Sequence, residues 1–189
     1  MQKQLFIIFL FIIFILSGVF LIRTFVKSPP EEQGDFKISN MQLTSPSFNS
    51  NDFIPAKFTC DGLNINPKLK ITGVPAEVES LVLIVDDPDA SSGDWVHWLV
   101  WNIDPTVAVI EEGSLPVGVI QGRTDFGKNE YDGPCPPASR TGIHNYHFKL
   151  YALNVSFADL SPNTDKQKIL KLMEGHILGK TELIGKYSR

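Results

Sequence analysis

From residue 36 onward, short apolar runs alternate with Gly, Pro, Asn and Asp, the spacing of strands and turns in an all-β sandwich or barrel. Residues 36–43 predict a first strand, and residues 68–74 alternate until Gly73 and Pro75 stop them. Asp61-Gly62 marks a turn after FIPAKFTC. Two runs do not alternate: SLVLIVDD, Ser80–Asp87, and WVHWLVWNI, Trp95–Ile103. A continuous apolar run of strand length predicts burial on both faces. Residues 146–153 alternate more cleanly and put Tyr146, Phe148 and Leu150 on one face. A helical period appears in NTDKQKILKLMEGH, where Ile169, Leu170, Leu172 and Met173 form a stripe. Asn163 or Thr164 can cap its start and Gly175 or Gly179 its end. Residues 182–189 read as a last strand or tail. The expected fold is all-β dominated, a β-sandwich with a small C-terminal helical element.

The first segment breaks this pattern. It starts at Leu5, ends at Ile22 and carries no charge over 18 residues, long enough for a single membrane-spanning helix. A cleaved signal peptide has a shorter apolar core and a small-x-small cleavage site. Here no Ala-x-Ala follows, and the pattern favours an uncleaved anchor over cleavage near Gly18. Lys3 before the segment and Arg23 and Lys27 after it do not decide orientation. A domain outside the cytoplasm is expected, because a soluble cytoplasmic domain has little need of such a segment; cleavage would make it secreted. Residues 28–35, with Pro29-Pro30 and Glu31, Glu32, Gln33 and Gly34, read as a linker. The organisation is thus residues 1–27 as anchor or signal segment, 28–35 as linker and 36–189 as one domain.

Charge narrows the partners. From residue 28 on there are 14 Lys and Arg against 21 Asp and Glu, a net of −7. That argues against a nucleic-acid surface, which needs clustered basic charge. The two cysteines, Cys60 and Cys135, fit no zinc spacing. They can be a disulfide, which oxidising compartments permit, or two buried thiols.

Chemistry concentrates in two places. VDDPDASSGDW sets Asp86, Asp87, Asp89 and Asp94 against a strand holding Trp95, His97, Trp98 and Trp101. Pro88 ends the preceding strand, leaving Asp87 and Asp89 where side chains reach solvent. Asp residues in a turn often only bond nearby backbone N–H groups. Trp95 and His97 share strand parity. A lone histidine in an apolar strand is more often a satisfied core residue than a catalyst. A second cluster, YDGPCPPASRTGIHNY, offers Tyr131, a Gly133-Pro134 turn, His144 and Tyr146. If the two clusters meet, they make a polar pocket with tryptophan walls. Its His, Tyr and loop N–H donors would suit a small anion, and its carboxylates would fix histidine tautomers and favour imidazolium.

DDPDA, W-x-H-W, GPCPP and H-x-Y-x-F occur in that order, with FTCDGLNINPKL early and GHILGKTELIGKY late. This resembles the phosphatidylethanolamine-binding protein family, in its bacterial and archaeal Raf kinase inhibitor-like branch, over residues 37–189. The resemblance implies a β-sandwich with an anion pocket for phosphate or a phosphorylated headgroup. Carried over by motif, the ligand-binding residues would be Asp87 and Asp89, Trp95 and His97, Gly133 and Pro134, and His144 and Tyr146. Tyr131 is added from its loop position. Asn66 stands where the family usually has serine, and PPASRTGIH is long for the branch. Family members are mostly described as binding or inhibitory proteins acting on kinases, proteases or signalling partners. A cytoplasmic kinase is out of reach of an outward-facing domain.

Three function classes follow. The first is a membrane-tethered or exported ligand-binding and regulatory protein, with no catalytic residue, metal or cofactor. The second is a hydrolase with His97 or His144 as general base and an Asp to orient it. Against it stands the lack of a G-x-S-x-G elbow or an H-E-x-x-H zinc motif. The third is a purely structural envelope module. The first is expected.

Overall fold

The structure, a computed structural model, describes residues 40–138 and 142–189. The apolar N-terminal segment, the linker and part of the long PPASRTGIH loop lie outside the described residues. Among the described residues no helix is long and apolar enough to cross a membrane.

The described residues form one compact unit. Strands β1 (Gln42–Thr44), β2 (Leu69–Thr72) and β5 (Val109–Ile110) make a small antiparallel sheet in the order β1-β2-β5. Strands β3 (Ser80–Asp87), β4 (Trp95–Ile103), β6 (Ile120–Gln121), β7 (His144–Leu153) and β8 (Ile177–Tyr187) make a larger one in the order β6-β4-β3-β7-β8. The single α-helix among the described residues, α1, spans Lys166–Met173.

Two apolar layers explain the two kinds of strand pattern. One fills the space between the sheets, with Leu43, Leu69, Ile71 and Ile110 against Leu81, Leu83, Val85, Trp98, Phe148 and Leu150. The other lies on the far face of the large sheet, where Val82, Ile84, Leu99 and Trp101 pack under Ile169 and Met173 of α1. Strand β3 is central and covered on both sides, so all eight of its residues are buried. Each fully buried Leu, Ile or Val contributes about 1.5–3 kcal/mol, which makes β3 the anchor of the fold. Strand β2 has the layer on one face only and alternates, Leu69 and Ile71 inward, Lys70 and Thr72 outward.

Several expectations shift. Among the described residues the first strand is Gln42–Thr44; residues 36–39 of the predicted strand lie outside them. The helix cap is Asp165, neither Asn163 nor Thr164: its carboxylate accepts from the Lys168 N–H at 2.9 Å. Of the four-residue stripe only Ile169 and Met173 are buried, and Leu172 faces solvent. The last strand begins at Ile177, five residues before the predicted start at Glu182, and pairs along all of β7. Gly185 inside it looks like a breaker, but a Cβ there would stand 2.4 Å from Ile54 Cγ1, so the strand needs a bare backbone at that point.

Candidate ligand pocket

The pairing of β3 with β4 carries a defect that shapes the site. Val85 faces Trp98 and Asp86 faces Val96, so His97 has no partner across the ladder. Such a bulge leaves an extra residue on one strand and re-aims its side chain. Val96, Leu99 and Trp101 belong to the outer apolar layer and Trp98 and Val100 to the inner one. His97 and Trp98 therefore fall consecutively on the inner side. His97 sits at the end of that layer, 3% exposed.

The two sequence clusters do meet. A cavity of about 190 Å³ is lined by Asp87, Trp95, His97, His144 and Tyr146, with Phe126, Pro136 and Pro137 completing its walls. Ser91, Ser92 and Cys135 also border it. His144 and Tyr146 come from alternate positions of β7, and Asp87 from the end of β3. His144 Nδ1 lies 2.7 Å from Asp87 Oδ2. A carboxylate can only accept, so Nδ1 carries the proton. His97 Nδ1 lies 2.7 Å from the Asp132 carbonyl and donates to it by the same reasoning. Burial, above all, holds His97 below the ordinary histidine value of 6.5, against the opposing pull of the Asp132 carbonyl and the Asp87 carboxylate. The expected preference for imidazolium thus fails at His97: desolvation outweighs the carboxylates. The neutral ring presents an unprotonated Nε2.

Tyr146 is the least satisfied group in the site. Its hydroxyl is buried and makes no well-formed hydrogen bond among the described residues, although the Asp87 carboxylate and the Cys135 backbone N–H lie close enough to act on it. The ring sits edge-on to His97 with centroids 5.2 Å apart and is stacked with His144 at 6.4 Å. Burial and then the Asp87 carboxylate push its pKa well above the usual tyrosine range, so it stays a donor. Phe126 packs edge-on against both Trp95 and His97, at 5.5 and 5.2 Å.

Four predicted residues stand behind the pocket instead of lining it. Asp89 accepts from the Asn145 backbone N–H and side-chain amide, both at 2.8 Å, and ties the β3–β4 loop to the start of β7. Those two bonds hold its carboxyl below the ordinary carboxylate value. Tyr131 donates to the Phe58 carbonyl at 2.9 Å and packs edge-on to Trp98. Gly133 donates its N–H to Asn64 Oδ1, and a Cβ there would stand 2.1 Å from the Phe58 carbonyl oxygen. The Pro134 carbonyl accepts from Cys60 N–H at 3.1 Å. Two of the three tryptophans are also elsewhere: Trp98 Nε1 donates to Gln121 in the core and Trp101 Nε1 to the Phe157 carbonyl on the far face. Phe126, Pro136 and Pro137 went unpredicted. A lone aromatic in the polar loop RTDFGKN was the available signal for Phe126.

The cysteines are bridged. Cys60 and Cys135 form a disulfide with α-carbons 5.4 Å apart, joining segments 75 residues apart in sequence. Asp86, next to Asp87 in β3, points to the opposite face, is fully buried, and is held by Lys149 at 2.7 Å and by Lys166. A larger cleft of about 510 Å³ beside α1 shares Ser92 and Trp95 with the pocket. Most of its charges are used internally: Lys166 by Asp86 and Asp94, Asp125 by the Val96 N–H, Asp165 by α1.

The sequence model for phosphatidylethanolamine-binding protein matches residues 44–188. The chain belongs to the phosphatidylethanolamine-binding protein family. Its relatives include a UPF0098 protein of Pyrococcus horikoshii, 46% identical over 84% of this chain and 79% of its own. Another, from Methanothermobacter thermautotrophicus, is 48% identical over 79% of this chain and 99% of its own. A phosphatidylethanolamine-binding protein homolog from Chlamydia trachomatis has a crystal structure that matches with a TM-score of 0.74 and 40% identity, over 80% of this chain and 99% of that one. Escherichia coli YbcL, described as a member of the mammalian family, matches with a TM-score of 0.73 and 29% identity, over 79% and 98%. Nearly the full length of each crystallised chain corresponds to this domain.

Proposed function

We propose that this family member is a membrane-tethered or exported ligand-binding and regulatory protein whose pocket takes a small anion, phosphate or a phosphorylated headgroup. The buried Tyr146 hydroxyl at the pocket, which makes no well-formed hydrogen bond among the described residues, carries this reading. A buried hydroxyl without a well-formed hydrogen bond costs free energy, and an incoming acceptor removes that cost. The Asp87 charge is taken up by His144, and Ser91 and Ser92 add hydroxyls at the rim. Trp95, Phe126 and the two prolines supply apolar walls for the rest of the ligand.

Binding is favoured over hydrolysis because the site joins hydroxyl donors to apolar walls; the His144–Asp87 pair is the one feature that a hydrolase activating water would share. The apolar segment ending at Ile22 and the exposed disulfide support a place outside the cytoplasm. There a protease or another exported protein is the accessible regulatory partner.

The test is an NMR titration of the domain, residues 36–189, with phosphate and phosphoethanolamine, repeated on folded His97→Ala and His144→Ala variants. Saturable shifts at both histidines, lost in the variants, are expected. No shift at millimolar ligand would sink the anion pocket.

A further inference from the structure

The pocket wall formed by Pro136 and Pro137 is held differently from the rest of the site. Upstream, the segment is fixed bond by bond. Tyr131 is tied to Phe58, the Asp132 N–H donates to the His97 carbonyl at 3.1 Å, Gly133 to Asn64, and the Pro134 carbonyl accepts from Cys60. Beyond Cys135 this stops: among the described residues, positions 136–138 make no hydrogen bond or ion pair, and Pro136 and Pro137 have no N–H to give. The last tether before the wall is the disulfide itself.

That disulfide is accessible. Cys135 is exposed and Cys60 half-buried, both outside the two apolar layers. Arg189 places a guanidinium nitrogen 3.9 Å from Cys135 Sγ and pairs with Asp61 at 2.9 Å. Exposed disulfides are the reducible ones, and a nearby cation stabilises a leaving thiolate.

We infer that Cys60–Cys135 is a redox latch on the pocket: its reduction by a dithiol releases the Cys135–Pro136–Pro137 wall and weakens binding of the anionic ligand. The inference rests on the ligand-pocket reading given above. In the exchange, a reductant thiolate attacks Cys60 Sγ and the S–S bond breaks, with Cys135 leaving as a thiolate beside Arg189. The second reductant thiol then attacks the reductant's own sulfur in the mixed disulfide, expelling the Cys60 thiolate. The protein gains two electrons and two protons as two thiols, and the dithiol becomes a disulfide.

The experiment compares the oxidised domain with the same protein reduced by dithiothreitol under native conditions, thiol content being verified by alkylation and mass spectrometry. Phosphoethanolamine affinity is measured by calorimetry, and the aromatic NMR spectrum is recorded without ligand. Reduction is expected to weaken binding at least tenfold, reversibly on reoxidation. It should shift the Trp95, Phe126, His144 and Tyr146 ring signals while leaving those of Trp98 and Trp101 in place. Unchanged affinity and unchanged pocket rings in a verified dithiol protein would overturn the latch. If the oxidised domain binds no phosphoethanolamine, the pocket reading fails separately and the ring spectra still decide. Shifts confined to the pocket rings support the latch; an unchanged spectrum or a general loss of dispersion overturns it. Chemical reduction of the folded protein avoids variants that fail to fold; a Cys60→Ser/Cys135→Ser protein that folds should reproduce the reduced spectrum.

Discussion

Tyr146 and Asp86 make opposite demands on a substitution. Removing the Tyr146 hydroxyl takes away a buried group with no well-formed hydrogen bond, so Tyr146→Phe should leave the melting temperature nearly unchanged. If the hydroxyl meets the ligand, the same change should weaken phosphoethanolamine binding about tenfold, the worth of one hydrogen bond to a charged group. Calorimetry on a protein of wild-type stability separates the two effects. Asp86→Asn should do the reverse. It leaves Lys149 and Lys166 without their shared carboxylate and should cost about 3 kcal/mol in urea unfolding, with binding untouched. His97 supplies a pH dependence. Its folded-state pKa lies below the unfolded value near 6.5, so the folded protein binds fewer protons in that window. Stability should rise with pH through the window and fall as pH drops below about 6.5. A folded His97→Gln variant should flatten that slope. Because neutral His97 offers a lone pair, an anion there needs a proton from solvent or from itself, and phosphate affinity should strengthen between pH 8 and pH 6.

At the scale of elements, legibility followed burial. Ser80–Asp87 and Trp95–Ile103 could be read to the residue because layers on both faces impose an unbroken apolar run. Strands β5 and β6 are two residues each and too short to show a period. Strand β8 was half hidden because Gly175 and Gly179 read as the end of the helix, which pushed the predicted strand start to Glu182. In the site, the parity that pairs His144 with Tyr146 was visible. The bulge at His97 was not, since it comes from the register between two strands. The family motif named loops that border the cavity but not which of their residues face it: Asp89, Tyr131, Gly133 and Pro134 hold those loops in place by bonds to distant carbonyl and amide groups. The helix cap is a cleaner case. Asp165→Ala removes the bond to the Lys168 N–H and should cost about 1 kcal/mol, a drop of about 2–4 °C in Tm for a domain of this size.

For the whole molecule, the acidic surface and the N-terminal apolar segment set where the pocket can work. A net of −7 beyond residue 27 disfavours adhesion to anionic surfaces. If the segment anchors the domain outside the cell, full-length protein should sediment with membranes. Its exposed lysines should then react with a membrane-impermeant amine reagent on intact cells; labelling only after lysis would place the domain inside. The two-sided burial of β3 also reaches beyond this one chain. Asp86 and Asp87 are neighbours in sequence, yet the pleat sends one to a pair of lysines and the other to a histidine at the cavity. Position 87 thus answers to the cavity while position 86 answers to folding. A one-residue insertion or deletion upstream in the strand would exchange the two offices and forfeit both, so lineages should diverge here by substitution and scarcely ever by a change of length.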